Sequence, residues 1–184
     1  MGKKVSASLL LASLLFSASV MATSAPHSDV ASLMDQRLSY MKNVAGYKAS
    51  NHLPIEDLAQ EARVLSAAVA EAETLGLNGH SVKPLIQAQM DAAKAIQYRY
   101  RADWLSVPEE GWQPEPLQQV RSKINVLNTE ILRAISARLT EGDLFTDKNA
   151  FMNALQQTHL NDSDKQRLWD SLQQVTLGAG VGKA

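Results

Sequence analysis

At 184 residues the chain is long enough to bury the core of one domain, and a composition with 5% aromatics and recurrent Ala, Leu, Gln and Glu favours helix over sheet. The absence of cysteine excludes disulfides and thiol catalysis. A formal charge of −1 argues against general nucleic-acid binding.

Residues 1–22 carry the three-part pattern of an export signal: Lys3 and Lys4 at the start, an apolar run from Leu9 to Phe16, and Val20 and Ala22 at the positions a signal peptidase reads. The apolar run is short and broken by Ser13, unlike a membrane anchor, so cleavage before Thr23 and no stable membrane association are expected. A cut after Ala25 is less favourable because Pro26 would follow the scissile bond. Removing a prefix with two lysines and no acid takes the charge from −1 to −3. The mature chain, 23–184, is expected to form one all-α domain of about six helices.

Ser28 or Asp29 is placed to cap a first helix running to about Ala49, with Val30, Leu33, Met34, Leu38, Met41 and Val44 on its apolar face. Gly46 lies inside it, either a tolerated glycine or a point of close approach. After the break at Asn51, His52, Leu53 and Pro54, a second helix is expected to open with Pro54 in its first turn and to bury Ile55, Leu58, Ala62, Leu65 and Val69 before Gly76, Asn78 and Gly79 end it. Ser81 is the expected cap of a long third helix, with Pro84 in its first turn, reaching Trp104. Pro108, Gly111, Pro114 and Pro116 mark an irregular connection, and a fourth helix spans Leu117 to Thr140. Thr146 and Ser163 look like caps for two shorter helices, about 147–158 and 164–177, before a frayed glycine-rich tail. That tail superficially resembles a phosphate loop but has no Ser or Thr after Lys183 and no helix to follow.

Three polar faces emerge from helical spacing. Arg37 and Lys48, eleven residues apart, return to the same azimuth. Asp57, Gln60 and Glu61 share a face at i, i+3 and i+4, and Gln89, Ala93 and Gln97 share another at i, i+4 and i+8. Arg121 in the first turn of the fourth helix is unfavourable against the helix dipole without an anion nearby. Spacing alone favours a solvated, ion-paired surface for these charges. His27, His52, His80 and His159 are scattered without ligand spacing, and no serine sits in a nucleophile-elbow pattern. No metal is implied, and an enzyme built this way works by binding and electrostatics.

Taken together, Arg37, Lys48, Pro54-Ile55-Glu56-Asp57, the segment from Gln89 to Tyr98, and the Arg121 region followed by Leu127-Asn128 resemble the helical chorismate mutases of the AroQ type, and within them the exported, periplasmic gamma subclass. The resemblance implies the Claisen rearrangement of chorismate to prephenate, with no cofactor and no covalent intermediate, in a homodimer with one complete pocket per chain. By position it implies Arg37 on one substrate carboxylate, Lys48 on the ether oxygen and a carboxylate, Arg121 on the second carboxylate, Gln97 on the ether oxygen, and Asp57 and Glu61 near the substrate hydroxyl. Gln89 is a supporting candidate. Two positions depart from the family: Gln60 stands where arginine is common and offers a hydrogen bond without charge, and Ala93 replaces a hydroxyl residue. Arg63 compensates for Gln60 only if it points into the pocket. A non-catalytic periplasmic binding or regulatory protein that kept the pocket is the alternative.

Overall fold

The computed structural model describes residues 29–180, so the expected signal segment, the Ser28 cap and the last four residues lie outside the described part. Its elements are all helical: α1 (Val30–Ser39), α2 (Met41–Ser50), α3 (Leu58–Thr74), α4 (Gly79–Ser106), α5 (Leu117–Thr140), α6 (Lys148–Ala154) and α7 (Asp162–Leu172). α1 and α2 are the halves of the first expected helix, offset at Tyr40, whose backbone stays right-handed helical. Counted as one, they make six helices. α4 is the central rod, with α2, α3 and α7 packed around it, while α1 lies on α5.

The apolar stripes of α1, α2, α4 and α5 meet in a core that holds Met34, Leu38, Leu85, Ile96, Ile131, Leu132 and Ile135. These side chains are almost entirely withdrawn from water, and each contributes on the order of 2 kcal/mol relative to exposure. α3 departs from its expected stripe. Leu58 is 76% exposed, and the buried positions are Ala68 and Ala72, with Val64, Leu65 and Val69 partly covered. Small residues on the inner face bring α3 close to its neighbours, so its larger apolar residues lie at the flanks.

Several helix ends differ from expectation, because a side chain already in reach satisfies the first free N–H groups. Asn78, not Ser81, caps α4 by accepting from the N–H groups of His80 and Ser81 at 2.9 and 3.3 Å. Pro84 therefore falls inside the helix. Ser81 Oγ instead accepts from the Thr176 N–H at 3.0 Å and ties down the C-terminal strap. Asp147, not Thr146, caps α6 at 2.8 Å, and α6 ends at Ala154. α7 starts before Ser163, at Asp162, where the Asp164 carboxylate accepts from the Asn161 N–H at 3.0 Å. The segment beyond α7 is not frayed at its start, since Leu177 bridges to Leu77 and the Gly178 N–H reaches Gly76 O at 2.8 Å.

Candidate active site

α2 ends in a left-handed reversal at His52, with φ of 52°. The Leu53 N–H bonds back to Lys48 O at 2.8 Å and the His52 N–H to Ala49 O at 3.2 Å, the paired closure that satisfies the last helical carbonyls. Residues 53–56, expected to begin the next helix, are instead irregular, and α3 starts at Leu58 with Asp57 as its cap. The reason is local. The Lys48 ammonium donates to Ile55 O at 2.5 Å, and Asp57 Oδ1 accepts from the Gln60 N–H at 3.0 Å. The loop is thus pulled over the end of α2, with Ile55 buried beneath it.

Under this loop lies a cleft of about 730 Å³ including its mouth, walled by α1 to α5. Arg37, Lys48, Asp57, Gln60, Glu61, Gln97 and Arg121 all line it. Arg37 is buried, its Nε donating to Asn128 Oδ1 at 2.7 Å and Nη1 to Gln89 O at 3.4 Å. Burial pulls its pKa down to about 10. Lys48 is also buried, and desolvation lowers its pKa; Asp57 and then Glu61 oppose that shift, while Arg121 adds to it. Across the mouth, Arg121 Nη2 stands 3.6 Å from Asp57 Oδ2, both more than a third exposed, so the pair is loose and available to a ligand.

Gln97 projects from α4 into the buried end. Its Nε2 donates to Ala93 O at 3.0 Å and has only the Met41 thioether, 3.6 Å away, as a second acceptor. A thioether is a weak acceptor that a ligand oxygen readily outcompetes. Gln97 Oε1 and Gln89 Oε1 are buried without a hydrogen-bond partner. Gln89 supports the site through its backbone carbonyl, and its side chain does not line the cleft. Arg63 does not point in either; its guanidinium donates to Gln60 Oε1 at 2.8 Å from the outer side.

Three polar residues of the cleft, Lys94, Asn125 and Asn128, were not singled out by spacing. Asn128 orients Arg37, and Lys94 pairs with Glu61 at 2.8 Å. Lys94 lies three residues before Gln97, one turn away on the same side of α4; a lysine on a long helix reads as surface until the packing of α3 is known. With Lys94 included, four cationic side chains and two carboxylates line the cleft, a surplus of two positive charges. Met41, Val44, Ile55, Val64 and Met90 supply apolar wall between them. The cleft therefore suits a small dianion with an apolar body.

Comparison with known proteins agrees with this geometry. Residues 28–98 match the family model described as chorismate mutase type II. The chain is 50% identical over 178 residues to a secreted chorismate mutase of Yersinia pestis, covering 96% of this chain and 92% of that protein. It is 44% identical over 169 residues to a monofunctional chorismate mutase of Enterobacter agglomerans, covering 91% and 92%. The crystal structure of the secreted chorismate mutase from Yersinia pestis superimposes with a TM-score of 0.79 at 52% identity, over 82% of this chain and 99% of that one. A buried arginine and lysine facing an amide across a cleft, on a helical scaffold shared at half identity, place this chain in the family of type II chorismate mutases.

Proposed function

We propose that the cleft binds chorismate as its dianion and converts it to prephenate by a concerted Claisen rearrangement. In that step the ether C–O bond breaks as a C–C bond forms within the same molecule, so no nucleophile, proton donor or cofactor is consumed. The observation that carries the reading is the surplus of two positive charges over one cleft, equal and opposite to a dicarboxylate. Arg37 takes one carboxylate, and Arg121, held only loosely by Asp57, turns to the other. One buried clamp and one that closes on the ligand hold the flexible substrate in its reactive chair, which is worth several kcal/mol in orientation.

Charge grows on the ether oxygen as the bond breaks. Lys48 and Gln97 serve that oxygen, Lys48 by its ammonium and Gln97 by the N–H that otherwise faces only Met41 Sδ. A prearranged donor at a developing oxyanion contributes about 3 kcal/mol to the rate. Asp57 and Glu61 face the substrate hydroxyl, and Gln60 offers an uncharged donor beside them. Gln97 donates without first gaining a proton, so activity persists above neutral pH.

The mature protein begins at Thr23, folds as one domain and works in the periplasm; the export pattern of residues 1–22 and the secreted relative support this. It acts as a homodimer, as the family resemblance implies, and each pocket is complete within one chain, which the cleft's assembly from α1 to α5 of a single chain supports. Chorismate absorbs in the ultraviolet, and the loss of that absorbance on adding mature protein is the direct test. Repeated with Arg37→Ala and Lys48→Ala, it should show turnover collapsing in both. Unchanged turnover in both folded variants would remove the site assignment, and a steep loss of wild-type activity between mildly acidic and neutral pH would remove the role of Gln97. Tight binding of a transition-state analogue without prephenate formation would favour a non-catalytic binding protein.

A further inference from the structure

Glu61 is held at both oxygens. Its Oε1 accepts from the Asp57 N–H at 3.3 Å, and its Oε2 accepts from the Lys94 ammonium at 2.8 Å. Both partners of this ion pair are about one-fifth exposed, so water screens it less than a pair on the open surface. Lys94 is itself steered from behind: Asp91 Oδ1 stands 3.4 Å from its ammonium, and Asp91 is fixed by Gln87 at 2.9 Å and by Arg167 of α7 at 2.8 Å. The hydrogen bond to Glu61 outweighs burial and raises the Lys94 pKa above its ordinary value, so the ammonium is charged wherever the enzyme works.

We propose that Lys94 is a positioning residue for the rearrangement, holding the Glu61 carboxylate on the cleft wall in the orientation that accepts the ring hydroxyl of the substrate. The proposal rests on the chorismate reading above. A carboxylate offers about four acceptor sites, and the two bonds described leave capacity for a hydroxyl. Without Lys94, the Glu61 side chain would keep one backbone contact and would face Asp91 without the cation they share, so its several rotatable bonds would carry it away from the substrate. The same residue keeps the charge count of the cleft: Gln60 brings no cation on the α3 wall, and Lys94 brings one on the α4 wall.

A hydroxyl contact is present in the ground state and in the transition state alike, which separates this role from a structural one. Its loss raises KM and leaves kcat nearly unchanged, whereas a disturbed fold lowers the fraction of active enzyme and hence kcat. The test measures kcat and KM separately for wild type, Lys94→Met, Lys94→Arg, Glu61→Gln and the Lys94→Met/Glu61→Gln double variant, each checked for native helicity by circular dichroism. Lys94→Met should lose about tenfold in kcat/KM through KM, the usual worth of one charge-assisted hydrogen bond. Lys94→Arg should recover most of it. In the Glu61→Gln background the same Lys94→Met change should cost less than about twofold, because its target is already gone. Equal losses in the two backgrounds, or Lys94→Met indistinguishable from wild type, would overturn the proposal; if Lys94→Met does not fold, Lys94→Gln is read by the same criteria. Absence of turnover in the wild type would overturn the chorismate reading and this proposal with it, an outcome distinct from an insensitive Lys94 in an active enzyme.

Discussion

Replacing Arg37 by glutamine should nearly abolish turnover while leaving the protein as stable as before, or slightly more so. The guanidinium is 5% exposed, and burial lowers its pKa from 12.5 to about 10. It stays ionised at any working pH, so the lowering marks a charge held away from water, at a cost on the order of 3 kcal/mol. Glutamine keeps an amide donor for Asn128 Oδ1 but loses the long 3.4 Å bond to Gln89 O, worth about 0.5–1 kcal/mol, and leaves a small void worth about 1 kcal/mol. The balance is a gain of about 1 kcal/mol, which raises the melting temperature by roughly 2–4 °C in a domain of this size. Catalysis moves the other way. A two-pronged, charge-assisted partner of a carboxylate is worth about 3–4 kcal/mol, so kcat/KM should fall by about 10²–10³-fold. Thermal unfolding followed by circular dichroism and the chorismate absorbance assay measure the two effects on one preparation. A melting temperature lowered by more than about 5 °C would show that the Arg37 hydrogen bonds outweigh its burial cost. Turnover within about tenfold of wild type would refute the carboxylate role.

Other consequences follow from the same geometry. Because burial lowers the Lys48 pKa, the activity that depends on its cation should be present below that folded value and lost as pH rises through it, earlier than an ordinary lysine would allow; Lys48→Arg should move the alkaline limb of kcat/KM upward. The unfolded chain holds the Lys48 proton more tightly than the folded one, so this group makes stability rise with pH between the two values, a slope absent from Lys48→Met in unfolding titrations. Gln97→Glu introduces a group that donates only when protonated, and its pH–rate profile should therefore fall with rising pH where wild type stays level. Gly46→Ala should cost about 1–3 kcal/mol, since a Cβ there would meet ring carbons of Trp112 at 2.5 and 2.7 Å. A lowered melting temperature with altered tryptophan fluorescence checks it; an unchanged melting temperature would mean that the ring yields freely.

The parts of this architecture legible in the sequence are those written in local periodicity. The fourth expected helix, 117–140, matches α5 at both ends: its apolar repeat is clear, and Pro116 before it and Gly142 after it bound it. The eleven-residue spacing of Arg37 and Lys48 supposed one continuous helix, and although the chain is offset at Tyr40 both side chains line the cleft; resemblance to a family, rather than spacing, pointed that face inward. Periodicity failed where two local solutions compete. Ser81 and Asn78 both suit a cap, and Asn78 wins because Ser81 Oγ is engaged with the C-terminal strap ninety-five positions away. Leu58 sits at a plausible apolar position yet faces solvent, since the inner face of α3 is set by the close approach of Ala68 and Ala72. Spacing gave no role to Lys94 or Asn128 for the same reason: their partners, Glu61 and Arg37, stand 33 and 91 positions away.

Gln60 then reads differently from a simple loss. Arginine is common at that position in the family that this chain resembles, and its absence removes one cation from α3. Arg63 does not replace it in the cleft, but its bond to Gln60 Oε1 occupies the acceptor end of the amide and leaves the NH₂ end as the donor available to a ligand. Lys94 meanwhile brings a cation to the opposite wall and spends it on Glu61. If an arginine stood at 60 alongside Lys94, the cleft would carry a surplus of three positive charges for a substrate with two negative ones. With an amide at 60 and a lysine at 94 the surplus stays at two, and the cation sits on α4 rather than on α3.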